Sequence, residues 1–202
     1  MSAAGRARAA PQRRRHEAPS ALVVIDMINA LDFAGGAALL RSALPCARRI
    51  ALLKSRVSAL GLPVIYANDN YGQWRSDFRQ VVAACAQEGS RGAALARLLQ
   101  PQPDDYFVLK PQHSAFHGTP LERLLADLGV RRLILTGIAA DSCVLATALA
   151  AHMRGYSLYV PTDCVAAESP ARKRRSLDLL RVSFQVDTRR AAWITRRELV
   201  AA

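Results

Sequence analysis

The 202-residue sequence predicts a three-layer α/β/α fold built on a doubly wound, parallel, six-stranded sheet. Three observations predict it. The run Ala21-Leu22-Val23-Val24-Ile25 is apolar on both faces, as a central parallel strand must be. Similar short runs recur, each separated from the next by a stretch of helical character, which is the pattern of right-handed βαβ crossovers. No internal repeat or second domain breaks the alternation, and 202 residues suffice to bury one sizeable core.

The elements follow in order. Residues 1–19 read as a disordered Arg/Ala/Pro tail, and residues 20–202 as one domain. The first strand is 21–25 and the segment 27–36 is a loop. A helix over 37–60 is stopped by Gly61-Leu62-Pro63, and Pro45 inside it predicts a break. The second strand is 64–67. A turn through Asn68-Asp69-Asn70-Tyr71-Gly72 leads to helices over 75–87 and 93–99. The third strand is 106–109. Thr119-Pro120-Leu121-Glu122 then has the order of a helix start, with Thr at the cap and Pro next, for a helix ending near 128. The fourth strand is 132–136. A helix over 141–154 is expected to be capped by Asp141 or Ser142 and ended by Gly155. The fifth strand is 157–160, followed by a helix over 171–183, a sixth strand at 184–187 and a last helix over 195–201.

Composition narrows the function. The net charge is +12, of which Arg6, Arg8, Arg13, Arg14 and Arg15 against Glu17 contribute +4, and Arg172-Lys173-Arg174-Arg175 forms a second basic cluster. Such runs raise the possibility of nucleic-acid contact, but no aromatic platform accompanies them. A solvated tail and a solvated helix face account for them better, so nucleic acid is not the expected partner. No apolar stretch is long enough for a membrane span, and residues 1–20 lack a secretory h-region. Cys46, Cys85, Cys143 and Cys164 are scattered with no C-x-x-C pair, which predicts reduced thiols and a cytoplasmic address.

Three apolar runs end in residues capable of chemistry: Asp26, Lys110 and the segment leading to Cys143. In a parallel sheet the carboxyl ends of the strands open into one crevice, so the three can meet. Cys143 falls where a helix follows a strand, and free amides and the helix dipole at that place favour a thiolate. The other three cysteines read as packing residues. Asp26 reads either as a turn cap or as a general base, and Lys110 either as a surface lysine or as a cation that balances the thiolate. The first βα turn, Asp26-Met27-Ile28-Asn29, lacks G-x-G-x-x-G, so no dinucleotide cofactor is expected.

These segments resemble the isochorismatase-like cysteine hydrolases, relatives of nicotinamidase and carbamoylsarcosine amidohydrolase. The resemblance covers about residues 20–190. It is carried by Asp26-Met27-Ile28-Asn29, by Lys110-Pro111-Gln112-His113-Ser114-Ala115-Phe116, and by Gly137-Ile138-Ala139-Ala140-Asp141-Ser142-Cys143-Val144. It implies the Rossmann-like isochorismatase fold with strand order 3-2-1-4-5-6, homo-oligomers, and a catalytic triad of Asp26, Lys110 and Cys143. It also implies a cis peptide between Ile138 and Ala139 that aims the Ala139 and Cys143 N–H groups at an oxyanion. The implied reaction is hydrolysis of a small amide or related C–N bond through a thioester, with Asp26 as base in both half-reactions. Nicotinamidases of the family place an Asp-x-His…His metal set after the second strand. Here that region is Asn68-Asp69-Asn70-Tyr71-Gly72-Gln73-Trp74, without His, so no metal and no cofactor are expected. Asn29, Asn70, Trp74 and Phe116 are candidates to line a substrate pocket, with ordinary packing or turn-making the competing role for each. His113 and His117 read as exposed loop histidines. The rival functions are hydrolysis of isochorismate's vinyl ether, which family members perform without the nucleophilic Cys, and a silent member used for binding.

Overall fold

The structure, a computed structural model, describes residues 18–70 and 77–201. Of the expected tail over residues 1–19, residues 1–17 lie outside the described residues, as does the pocket candidate Trp74. Five strands form one parallel sheet: β1 (Ser20–Ile25), β2 (Val64–Asp69), β3 (Tyr106–Lys110), β4 (Arg132–Gly137) and β5 (Ser157–Tyr159), in the order β3-β2-β1-β4-β5. β1 is buried along its whole length between β2 and β4, which is why it carries no polar alternation. Helix α1 (Gly36–Ala59) with α3 (Ala93–Leu98) covers one face, and α5 (Cys143–His152) with α6 (Pro170–Phe184) covers the other. Helices α2 (Phe78–Ala86), α4 (Leu121–Asp127) and α7 (Arg196–Val200) complete the chain. No helix among the described residues is long and apolar enough to cross a membrane.

Three local expectations are corrected. The sixth strand is reduced to a single Tyr159–Asp187 bridge. The amphipathic pattern of α6 carries on through Phe184, whose ring meets His152 edge-on at 5.3 Å, and Gln185 then turns the chain in the left-handed conformation with φ 53°. Too few residues remain to lay a strand beside β5. Pro45 does not break α1, which runs unbroken for 24 residues with Pro45 on its exposed side. Neither Asp141 nor Ser142 caps α5, which begins at Cys143; the Ser142 side chain makes no capping bond and Asp141 instead faces Arg172 of α6 at 2.5 Å.

The sheet order reverses between β1 and β4, where Ile25 lies opposite Gly137. The loops leaving these two strands diverge, one towards α1 and one towards α5, and in open parallel sheets such a switch point at the carboxyl edge is where ligands bind.

Candidate active site

Asp26 is the first residue past β1 and takes the left-handed conformation with φ 51°, a region in which Asp is enriched because its short polar side chain bonds locally. The turn buries the carboxylate, which is 5% exposed. Its Oδ1 accepts the Asp69 backbone N–H at 2.8 Å, and its Oδ2 lies 2.9 Å from Lys110 Nζ. Lys110 ends β3, two strands from β1, a lateral distance of roughly 10 Å. Only a long side chain spans that distance to reach Asp26. The Lys110 ammonium is fully buried. It donates to the Gln112 carbonyl at 3.3 Å, lies 3.7 Å from Asp69 Oδ2, and lies 3.6 Å from Cys143 Sγ.

Cys143 opens α5 and is half-buried. The segment before it is held by backbone bonds. Ala140 N–H donates to the Ala166 carbonyl at 2.7 Å and Ala166 N–H to the Gly137 carbonyl at 3.1 Å, while Ser142 and Val144 N–H both donate to the Ala139 carbonyl. Gly137 has φ 114°, and a Cβ there would stand 2.0 Å from the Ile25 carbonyl oxygen, so only glycine lets β4 pass β1 this closely. The Ile138–Ala139 peptide is cis. Among the described residues, the N–H groups of Ala139 and Cys143 have no backbone acceptor.

The electrostatics differ from the expectation for a helix-start cysteine. Burial, and then the Asp26 carboxylate, push the Cys143 thiol up to about 11, with the Lys110 ammonium opposing them. The local amides of α5 favour a thiolate, but a buried carboxylate next to the sulfur outweighs them. Burial also raises Asp26 above the usual carboxylate range, against the pull of Lys110. Burial by itself lowers Lys110, yet Asp26, Cys143 and Asp69 together hold it above its ordinary value. The Cys143 thiol is thus neutral at rest and lies beside the Lys110 ammonium. A carboxylate of raised basicity is the better acceptor for a thiol proton.

The pocket candidates fare unequally. Asn29 makes a turn, its Oδ1 accepting the Leu31 N–H at 2.8 Å. Phe116 packs inside: it is 6% exposed, and its ring lies 5.9 Å from the Tyr156 ring and carries the Arg154 guanidinium over its face at 4.8 Å. Asn70 is buried beside the cluster, with its backbone N–H on the Lys110 carbonyl at 3.1 Å. His117 is exposed. His113 is also exposed, but it is not partnerless. Its Nδ1 lies 3.3 Å from Ser142 Oγ and 3.7 Å from Cys143 Sγ. Position in sequence gave no sign of this, because it depends on how the loop after β3 folds back over α5.

Among the described residues no group of three His, Cys, Asp or Glu side chains is placed to hold a metal. After β2 the carboxylate of Asp69 turns towards Lys110, and the Nδ2 of Asn68 donates to the Ile28 carbonyl at 2.5 Å. An ammonium beside the one carboxylate and an amide turned elsewhere do not make a divalent-cation site.

A doubly wound α/β domain with an acid, an ammonium and a thiol at its switch point defines a class of hydrolase-like sites. The family model for the isochorismatase domain matches residues 20–196, and the chain belongs to the isochorismatase family. It is 40% identical over 153 residues to an uncharacterized isochorismatase family protein of Bacillus subtilis (strain 168), covering 76% of this chain and 83% of that one. It is 36% identical over 83 residues to a ureidoacrylate amidohydrolase of Methylorubrum extorquens; this match is local, 41% of this chain and 34% of that one. Among solved structures, N-carbamoylsarcosine amidase from Thermoplasma acidophilum superposes with a TM-score of 0.63 at 27% identity, over 85% of this chain and 96% of that one. The chain is a hydrolase of this family, and its relatives include amidohydrolases.

Proposed function

We propose that the protein hydrolyses a small carboxamide or related C–N bond through a thioester on Cys143. One observation carries this: a single buried ammonium, Lys110 Nζ, touches both Asp26 at 2.9 Å and the Cys143 sulfur at 3.6 Å. Asp26 takes the thiol proton, and the sulfur attacks the carbonyl carbon. Lys110 keeps the changing charge between carboxylate and sulfur balanced as the proton moves. The unpaired Ala139 and Cys143 N–H groups hold the developing oxyanion. As the C–N bond breaks, Asp26 returns the proton to the departing nitrogen. Water then hydrolyses the thioester. The amidase relatives favour C–N cleavage, and the presence of a sulfur at this point disfavours vinyl-ether hydrolysis. No metal takes part, given the donor set after β2.

The test is ammonia release from a panel of carboxamides and N-carbamoyl compounds. Activity on at least one member should fall at least ~10³-fold in Cys143→Ala and survive a chelator. A Cys143→Ala variant that keeps its turnover refutes the thioester, and loss of turnover on chelation refutes the metal-free route.

A further inference from the structure

The geometry points to His113 as a second acid–base group of the same site, serving the water that cleaves the acyl-enzyme. This rests on the thioester reading above and extends it to the second half-reaction. Cys143 Sγ lies between two unlike neighbours. On its inner side is Asp26, 5% exposed, with Oδ1 on the Asp69 N–H and Oδ2 on Lys110. On its outer side is the His113 ring, exposed, with Nδ1 at 3.7 Å. A water reaching a thioester on this sulfur comes from solvent, hence from the side of the imidazole. Asp26 is buried beside the sulfur, away from that solvent, with the Asp69 N–H and the Lys110 ammonium against it.

Among the described residues the hydrogen-bonding partners of His113 are Ser142 Oγ and Cys143 Sγ, and no carboxylate bonds to it. Both partners lie on the α5 side, so the ring is turned towards the reacting sulfur rather than away from it. Lys110 fixes the approach of the loop, because its ammonium grips the Gln112 carbonyl one residue before His113. The loop that supplies the imidazole is therefore tied to the cation that serves the thiol.

The water oxygen bonds to the thioester carbon while one water proton passes to Nδ1. The carbonyl electron pair moves onto oxygen, facing the Ala139 and Cys143 N–H groups. When the carbonyl re-forms, the C–S bond breaks and its electron pair returns to Sγ. The sulfur takes the proton from the imidazolium, leaving a carboxylic acid and a free thiol.

The test uses the full chain and p-nitrophenyl acetate, whose leaving group needs no proton donor, so acylation and deacylation separate. Wild type should release a burst of p-nitrophenolate and gain one acetyl group by intact mass, and Cys143→Ala should do neither. His113→Ala should keep the burst. Its isolated acetyl-enzyme, freed of excess ester, should decay on the order of 10²-fold more slowly than wild type, and imidazole in the buffer should speed that decay far more than it speeds wild type. His113→Gln, which keeps a hydrogen-bonding group near Ser142 but no base, should stay slow. Equal decay in wild type and His113→Ala overturns the assignment, as does a slowing that imidazole leaves untouched. A wild-type chain without a burst that depends on Cys143 overturns the thioester reading itself.

Discussion

Lys110 is the residue on which the site turns, and its removal tests the whole cluster. Its ammonium has no exposure, and its partner Asp26 has 7% side-chain exposure, so each neutralises the other away from water. Truncating one member of a buried pair leaves an uncompensated charge, at a cost of about 3–5 kcal/mol. Lys110→Met should therefore lower the urea midpoint markedly, whereas the double variant Asp26→Asn with Lys110→Met should recover most of the loss and remain inactive. A Lys110→Met chain as stable as wild type would contradict the burial of the pair. At this scale the site was largely legible in the sequence. Asp26 and Lys110 each follow an apolar run, a third run leads through residues 138–142 to Cys143, and strand ends share one edge. What was hidden depends on tertiary contact. The thiol is held neutral by burial and then by Asp26, 117 positions away in sequence, and His113 reaches the sulfur only because the loop after Lys110 folds back.

Helices and strands were legible where their signals are local and redundant. The five strands fall where continuous apolar runs predicted them, and Gly155, with φ 78°, ends the turn after α5. The sixth strand failed because a helix and a strand compete for the same short segment, and the helix pattern of α6 continued across it. Pro45 failed as a breaker because a 24-residue helix, with Leu39, Ala43, Ala47, Ile50 and Leu53 buried against the sheet, outweighs one missing bond. The missing bond still costs: the Arg41 carbonyl loses its i+4 donor, and proline in a helix interior is about 3 kcal/mol worse than alanine. Pro45 sits on the exposed side, so replacing it removes little packing. Pro45→Ala should raise stability by about 1–3 kcal/mol with turnover unchanged. A lower urea midpoint in this variant would mean that α1 depends on the proline ring for a bend or contact.

For the molecule as a whole, alkaline pH sets two effects against each other. The net charge of +12 repels itself, and raising the pH towards the pI of 10.6 relieves that repulsion. The buried thiols act in the opposite direction. Burial pushes Cys46 up to about 12, and burial with Asp26 pushes Cys143 up to about 11. Cys85 and Cys164 are raised by burial as well. The unfolded chain loses these protons from near pH 9, while the fold keeps them, so unfolding releases protons and stability falls as pH rises above 9. A thiol that stays protonated in the fold at pH 10 but is free to ionise in the unfolded chain costs about 1.4 kcal/mol there. The charge relief is spread over a surface on which salt at ~0.15 M screens beyond about 8 Å. The thiols should therefore win at that ionic strength: the urea midpoint should drop between pH 8 and 10, and drop less in Cys46→Ala with Cys164→Ala. Lowering the salt strengthens the repulsion and so should flatten the drop in wild type. A midpoint that holds or climbs between pH 8 and 10 at physiological salt, and does so equally in Cys46→Ala with Cys164→Ala, would show that the raised thiols do not govern alkaline stability.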